Sequence, residues 1–142
     1  NQPENKMSKS IPEGCVYLMD SPEDIMRKFK RAITDSDTER CVRYDRAAKP
    51  GVATLIDIYA AITGRTYEQI EVEFEGKGYG AFKPAVGEAV VELFRPIREE
   101  AVRLLNDKAY LESLYRAGAE KAAAVAQRTL RKVQKKVGFL PR

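Results

Sequence analysis

The sequence predicts an all-α fold, a bundle of helices, on the basis of three observations. Apolar residues recur every three or four positions along most of the chain, as on the buried face of a helix. Capping residues and glycines stand where these periodic stretches begin and end. The alternation of apolar and polar residues that is typical of strands is scarce. With 142 residues, 44% of them hydrophobic and 32% charged, the chain is long enough for a buried core.

The first helix is predicted to begin at Pro22, after Ser21 as its N-cap, and to continue to about residue 33. Basic residues occupy one side of this helix. The opposite side is apolar, with residues spaced four apart: Ile25, Phe29 and Ile33. The short apolar run before it, residues 16–19, is interpreted either as a buried strand or as a packed linker.

A loop rich in Asp, Ser and Thr follows, because such side chains bind nearby backbone amides and end helices. The second helix is predicted from Val52 to Gly64. Thr66 and Gln69 then match a capping box, which predicts a short third helix. The alternating glycines of residues 75–80 resemble a phosphate-binding loop. They follow a helix and lack the required spacing, so we interpret them as a helix end and a tight turn.

The last third of the chain is predicted to form further helices. One begins near Pro84 and is kinked or broken at Pro96. Residues 106–107 are predicted to begin a new helix, which Gly118 is expected to interrupt. The final helix is predicted to end at Gly138. From residue 121 onward there are seven basic residues and no acidic ones. This charge favours either contact with a phosphate backbone or simple interaction with a helix C-terminus.

Composition excludes several classes of function. No apolar run approaches the roughly 20 residues of a membrane span, and no secretory signal is visible, so we expect a cytoplasmic protein with no membrane contact. The sequence contains no histidine, and Cys15 and Cys41 do not form a close-spaced ligand motif. We therefore expect no metal site and no histidine base. The first residue is not methionine, which suggests a piece of a longer protein.

The segment Lys6-Met7-Ser8-Lys9-Ser10 places two cations and two hydroxyls in one short stretch near the start of the chain. Its residues are compatible with a solvated tail or with a mobile clamp for phosphate. Lysine offers a compact point charge to phosphate, and serine offers a hydroxyl donor.

The same pentapeptide resembles the signature loop of class I aminoacyl-tRNA synthetases. The rest of the chain is similar to the C-terminal part of tryptophanyl-tRNA synthetases, and tyrosyl-tRNA synthetases do not usually carry this series. The likeness covers essentially the whole chain. It is carried by ITDS at 33–36, RYD at 43–45, KPGV at 49–52, EGKGYGAFK at 75–83 and GAEKA at 118–122.

This resemblance implies a homodimeric ligase that joins tryptophan and ATP, with Mg²⁺, into tryptophanyl-adenylate and then charges tRNA(Trp). It also implies three parts. Residues 1–19 are the KMSKS loop and the end of a Rossmann-like nucleotide-binding domain, residues 20–106 a helical anticodon-binding domain, and residues 107–142 helices that pack back on the catalytic domain. The tryptophan pocket is expected before residue 1, so this chain alone is predicted to be inactive.

The resemblance also assigns roles to individual residues. Lys9 is expected to contact the pyrophosphate, with Lys6 assisting, and the whole loop, Lys6, Met7, Ser8, Lys9 and Ser10, to bind ATP. During adenylate formation, negative charge builds on the departing pyrophosphate, so cations placed beside it lower the activation barrier of this step. The family often has Asp after the motif, whereas this chain has Ile11.

Contacts with tRNA are expected from three residues between the first two helices: Arg43, Tyr44 and Lys49. A cation or an aromatic ring there can engage an unstacked base. An alternative is that residues 43–45 form only a structural turn with an internal ion pair. For the chain as a whole, the alternatives are a stand-alone helical RNA-binding module without catalysis and a helical interaction domain in which the KMSKS match is accidental.

Overall fold

The computed structural model describes residues 14–37 and 42–139, and this part of the chain contains five α-helices and no strand. The prediction of an all-α fold is confirmed. The chain divides into two compact units, Asn1–Arg98 and Glu99–Arg142. The loop of residues 6–10 lies outside the described residues, as does Cys41. The helices are α1 Pro22–Lys30, α2 Pro50–Thr63, α3 Tyr67–Glu73, α4 Gly78–Asn106 and α5 Lys108–Val137.

Helix α1 begins as predicted but ends earlier. The Ser21 side chain accepts a hydrogen bond from the Asp24 N–H at 3.1 Å, which is the expected N-cap. The helix ends at Lys30, and Ile33 is 54% exposed rather than on a buried face. The reason is tertiary, because after α1 the Ile33 carbonyl passes directly over Gly51 of α2. Apolar periodicity alone could not locate this departure from the helix.

The apolar run before α1 is an irregular segment with a turn rather than a strand, and it packs as a linker only through Val16, which lies against the core. The Tyr17 N–H donates to Asp20 Oδ2 at 2.8 Å, and the Asp20 N–H donates to the Tyr17 carbonyl at 3.1 Å. The Lys28 ammonium pairs with the Asp20 carboxylate, and Arg98 donates to the Asp20 carbonyl at 3.3 Å. These bonds fix the turn although most of its apolar side chains are exposed.

The core of the first unit is formed by α1, α2, α3 and the first half of α4. Its centre is aromatic, with the Phe74 and Phe82 ring centroids 5.0 Å apart in an edge-on arrangement and Tyr59 packed edge-on against both. The buried apolar residues are Ile25, Phe29, Val42, Val52, Leu55, Ile56, Tyr59, Ile70, Phe74, Phe82, Val86 and Val90.

The predicted C-terminal end of α2 and N-terminal end of α3 are confirmed, whereas α2 begins at Pro50, two residues before the predicted start. Gly64 caps α2 with φ +70°, a left-handed conformation that only glycine adopts without strain. The capping box of α3 is complete, because the Gln69 N–H donates to Thr66 Oγ1 at 3.3 Å and the Thr66 N–H donates to Gln69 Oε1 at 2.9 Å. The predicted turn after α3 is present at residues 74–77, but Gly78 and Gly80 of the glycine-rich stretch already belong to α4.

Helix α4 begins six residues before Pro84 and continues past Pro96, so the predictions of a later start and of a break are wrong, and the alternative of a kink at Pro96 stays a prediction. The early start places Phe82 one turn before Val86 and two turns before Val90, and all three are buried. Burial of this apolar stripe favours the helical conformation more strongly than proline disfavours it.

The second unit contains the end of α4 and the 30-residue helix α5. Asp107 caps α5 by accepting from the Tyr110 N–H at 3.0 Å, and Gly138 ends it with φ +79°, both as predicted. The predicted interruption at Gly118 is wrong, because one internal glycine costs about 1 kcal/mol and does not break a helix of this length. Among the described residues, no helix is long and apolar enough to cross a membrane.

Candidate functional site

The polar segment between α1 and α2 contains the three residues for which the sequence predicted RNA contact. One of them, Lys49, lies inside the protein with a side chain that is only 5% exposed. Its Nζ is 2.8 Å from Asp37 Oδ2, 3.1 Å from Asp35 Oδ1 and 3.3 Å from the Tyr79 hydroxyl. The Tyr79 hydroxyl in turn donates to Asp35 Oδ1 at 2.7 Å. Lys49 therefore joins the loop after α1, the start of α2 and the first turn of α4.

The charges in this Lys49 cluster stabilise one another. Burial lowers the pKa of Lys49, but the hydrogen bonds to Asp37 and Asp35 outweigh burial and raise the pKa above its usual range. Burial raises the pKa of Asp35, but bonds from Tyr79, the Asp37 N–H and Lys49 outweigh it and lower the pKa overall. Burial and the bond to Asp35 raise the pKa of Tyr79 to about 12. At neutral pH the cluster holds an ammonium between two carboxylates.

The expectation that Lys49 contacts RNA directly does not fit this geometry. A buried ammonium with three oxygen partners has no free donor to offer a phosphate or a base without breaking the cluster. The residue order did not show this, because the carboxylates and the tyrosine come from segments 12 to 30 positions away.

We expect Lys49→Met to lower the free energy of unfolding by about 2 kcal/mol. Breaking a fully buried ion pair costs about 3–5 kcal/mol, and partial exposure of Asp35 and Asp37 reduces this. Urea unfolding followed by circular dichroism measures the change. Lys30→Met, at an exposed position on α1, is the matched control and should change stability by less than about 0.5 kcal/mol. Equal stabilities of the two variants would contradict a structural role for the cluster.

Arg43 lies just before a turn at residues 46–48 and forms the internal ion pair with Asp45 that the structural alternative described. Its Nη2 is 3.5 Å from Asp45 Oδ2, and Asp45 Oδ1 accepts from the Ala47 and Ala48 N–H groups at 3.0 and 2.9 Å. These hydrogen bonds lower the pKa of Asp45, and the bond from the Ala48 N–H has the largest effect. Nε of Arg43 is buried and has no hydrogen-bond partner among the described residues. The side chain as a whole is 44% exposed.

Tyr44 stacks on Tyr67, the first residue of α3. The two ring centroids are 4.2 Å apart, with an angle of 17° between the ring planes. Hydrogen bonds close a circuit around this stack. Arg46 Nε donates to the Tyr44 hydroxyl at 2.8 Å, Arg46 Nη2 donates to Asp57 Oδ2 at 2.6 Å, and the Tyr67 hydroxyl donates to Asp57 Oδ1 at 2.8 Å. We call these four residues the tyrosine platform: Tyr44, Arg46, Asp57 and Tyr67.

A backbone hydrogen bond ties the tyrosine platform to α3, and the pKa values of two of its side chains are raised. The Tyr44 N–H donates to Glu71 Oε1 on α3 at 2.7 Å, which fixes the loop to that helix. The hydrogen bonds to Asp57 and Tyr44 raise the pKa of Tyr67 to about 12, so its hydroxyl stays protonated and continues to donate. The bond to the Tyr44 hydroxyl and the charge of Asp57 raise the pKa of Arg46. Tyr67 and Arg46 thus both remain hydrogen-bond donors at neutral pH.

Sequence reasoning identified only one member of the platform. Tyr67 falls inside the capping box that predicts the third helix, and no sequence pattern points to Arg46 or Asp57. An aromatic residue beside polar residues at the first position of a short helix was the available signal. The structure places Tyr44 in the platform, Arg43 just before the turn beside it and Lys49 in the separate buried cluster. In the described part of the chain, no group of three or more acidic, cysteine or histidine residues could hold a metal ion.

The model of the tRNA synthetases class I (W and Y) matches residues 1–95 of this chain. The chain therefore belongs to the class I tRNA synthetases of this W and Y family. Within it, the chain is 46% identical over 140 residues to the tryptophan–tRNA ligase of Leifsonia xyli subsp. xyli, and 46% identical over 142 residues to that of Clostridium perfringens (strain 13 / Type A).

These matches cover 97% and 99% of this chain but only 41% and 42% of the relatives, so the chain spans about two fifths of the length of the curated relatives it matches.

Solved structures of tryptophanyl-tRNA synthetases match over a similar share of this chain, at lower sequence identity. Tryptophanyl-tRNA synthetase from Campylobacter jejuni, in a complex with ADP and tryptophan, matches 94% of this chain with a TM-score of 0.78 and 26% identity. The match covers 41% of that chain. Tryptophanyl-tRNA synthetase from Mycoplasma pneumoniae matches 98% of this chain and 44% of its own, with a TM-score of 0.65 and 28% identity.

Proposed function

We propose that this chain is the C-terminal part of a tryptophan–tRNA ligase, which activates tryptophan with ATP and transfers it to tRNA(Trp). The observation that carries the proposal is the identity of 46% to tryptophan–tRNA ligases over nearly the whole chain. The helical fold supports it independently through its likeness to tryptophanyl-tRNA synthetase structures.

We propose that the three segments of the chain have the roles that the sequence predicted. Residues 1–19 complete the nucleotide-binding domain, residues 20–106 bind the anticodon, and residues 107–142 pack on the catalytic domain. The loop Lys6, Met7, Ser8, Lys9 and Ser10 binds the ATP phosphates, and Mg²⁺ arrives with those phosphates. The complete enzyme is a cytoplasmic homodimer.

For tRNA contact we keep Arg43 and Tyr44 and change the role of Lys49. The Arg43 side chain is partly exposed and weakly paired at 3.5 Å, so it can turn toward a phosphate or a base. Tyr44, in the same segment, contributes as the partly buried half of the aromatic stack with Tyr67. Lys49 positions this segment from inside by holding its C-terminal end against α4 and the loop after α1.

The proposal predicts a specific reaction for the full-length enzyme. Exchange of labelled pyrophosphate into ATP should depend on added tryptophan, and tyrosine should not replace it, because the label enters ATP only when the enzyme forms an adenylate with its own amino acid and pyrophosphate reverses that step. The 142-residue chain alone should show no exchange, since it lacks the amino-acid pocket that we place upstream. Tyrosine-dependent exchange would move the enzyme to the other branch of the family, and exchange by the chain alone would contradict the placement of the pocket.

A further inference from the structure

We infer that the outer face of the Tyr67 ring is a docking surface for an unpaired RNA base, with Tyr44 as the backing ring and the Arg46 guanidinium beside it. This inference rests on the proposed function and adds the site at which an RNA loop is held. The parallel stack, its exposure and the polar groups that orient it carry the argument.

Tyr67 has one ring face that Tyr44 does not cover. The Tyr44 ring covers the other face at a centroid distance of 4.2 Å, yet Tyr67 remains 37% exposed. The exposed area must therefore lie on the outer face and the edges of the ring. A base stacked there would extend the existing stack by one layer, at the spacing that aromatic planes prefer.

The platform is organised before any ligand arrives. Asp57 accepts from both Tyr67 and Arg46, and Arg46 also donates to the Tyr44 hydroxyl, so neither side chain can swing away from the stack without losing a hydrogen bond. Asp57 projects from α2 and Tyr67 from the capped start of α3, both of which belong to the packed unit. A rigid ring loses little side-chain entropy when it binds a partner.

The surroundings favour RNA over a protein partner. Protein contacts of high affinity usually bury an aromatic anchor within an apolar patch. Here the neighbours of Tyr67 in sequence, Thr66, Glu68 and Gln69, are polar and exposed. The Arg46 side chain is 72% exposed and offers a second planar group for a base. Single-stranded RNA is commonly recognised by aromatic rings and arginine planes arranged in this way.

The charge of the platform predicts how it should contribute to affinity. Arg46 and Asp57 form an ion pair at 2.6 Å, so the four residues have no net charge. Phosphate contacts weaken with salt because counterions are released, whereas stacking on a neutral platform releases none. Loss of the platform should therefore lower tRNA affinity by a similar factor at every salt concentration.

The test uses the full-length enzyme and labelled tRNA(Trp), with binding measured over a range of salt concentrations. Tyr67→Leu should weaken binding about tenfold with an unchanged salt slope, because an apolar side chain remains but the aromatic face is lost. Tyr67→Phe should bind like the wild type, since it keeps the ring and loses only the hydroxyl. Val72→Ala, at a position 72% exposed on the same helix α3, is the control and should also bind normally.

A second measurement separates stacking from a structural effect. A fluorescent base analogue placed in turn at each unpaired position of the anticodon loop should be quenched at one position by the wild type and by Tyr67→Phe, and not by Tyr67→Leu. Normal affinity and quenching in Tyr67→Leu would overturn the inference. So would weaker binding in Tyr67→Leu that is explained entirely by its unfolded fraction. Failure of the wild-type enzyme to bind tRNA(Trp) would instead contradict the proposed function and, with it, the inference.

Discussion

Lys9→Ala is expected to slow formation of tryptophanyl-adenylate by the full-length enzyme by on the order of 10²-fold or more. This is the effect of removing one donor to charge that develops in a transition state. The charge that Lys9 would meet lies on pyrophosphate and grows only as the phosphoryl bond breaks, so substrate binding in the ground state is a poor reporter. Rapid-quench measurement of adenylate formation in a single turnover gives the rate directly.

Tryptophan affinity is the internal control for this variant. Because pyrophosphate leaves on the side away from the amino acid, Lys9→Ala should bind tryptophan as the wild type does. Lys30→Ala, which removes an exposed lysine from α1, should change neither quantity. A wild-type rate of adenylate formation in Lys9→Ala would show that the KMSKS segment is not a phosphate clamp, and would leave the solvated tail as its interpretation.

Gly51→Ala should lower the free energy of unfolding by about 3 kcal/mol, the upper end of the usual cost of overpacking. A Cβ atom at this position would lie 2.2 Å from the Ile33 carbonyl oxygen. The obstacle is backbone, so a side-chain rotation cannot relieve it, and the loop after α1 must move. That loop carries Asp35 and Asp37, so the variant should disturb the Lys49 cluster as well. Urea unfolding measures the loss.

Gly80→Ala is the matched control for Gly51→Ala. Gly80 lies near the start of α4, and a Cβ atom there would meet nothing within 4 Å. Replacing a helical glycine by alanine should therefore stabilise the chain by about 0.5–1 kcal/mol, because the unfolded chain loses conformational freedom. Similar stabilities of Gly51→Ala and Gly80→Ala would contradict the close approach of Ile33 to α2.

Local patterns determined which segments are helical and how most of them begin and end. Ser21, Thr66, Gly64 and Gly138 act where the sequence predicted, because a cap depends on side-chain and backbone bonds within one helical turn. The predictions that were wrong concern segments whose conformation depends on contacts with other parts of the chain. Burial of one face keeps α4 helical through Pro84, and a distant glycine sets the path of the chain after α1.

In the candidate site, too, some features follow from the sequence and others only from the tertiary structure. The sequence by itself determined the family resemblance, the all-α class and the segment that contains Arg43 and Tyr44, since these depend on residue order. Only the tertiary structure decided that Lys49 is buried between two carboxylates and that Tyr67 stacks on Tyr44. The physical reason is that burial and stacking join residues 12 to 30 positions apart, whose proximity depends on how the helices pack rather than on any local pattern.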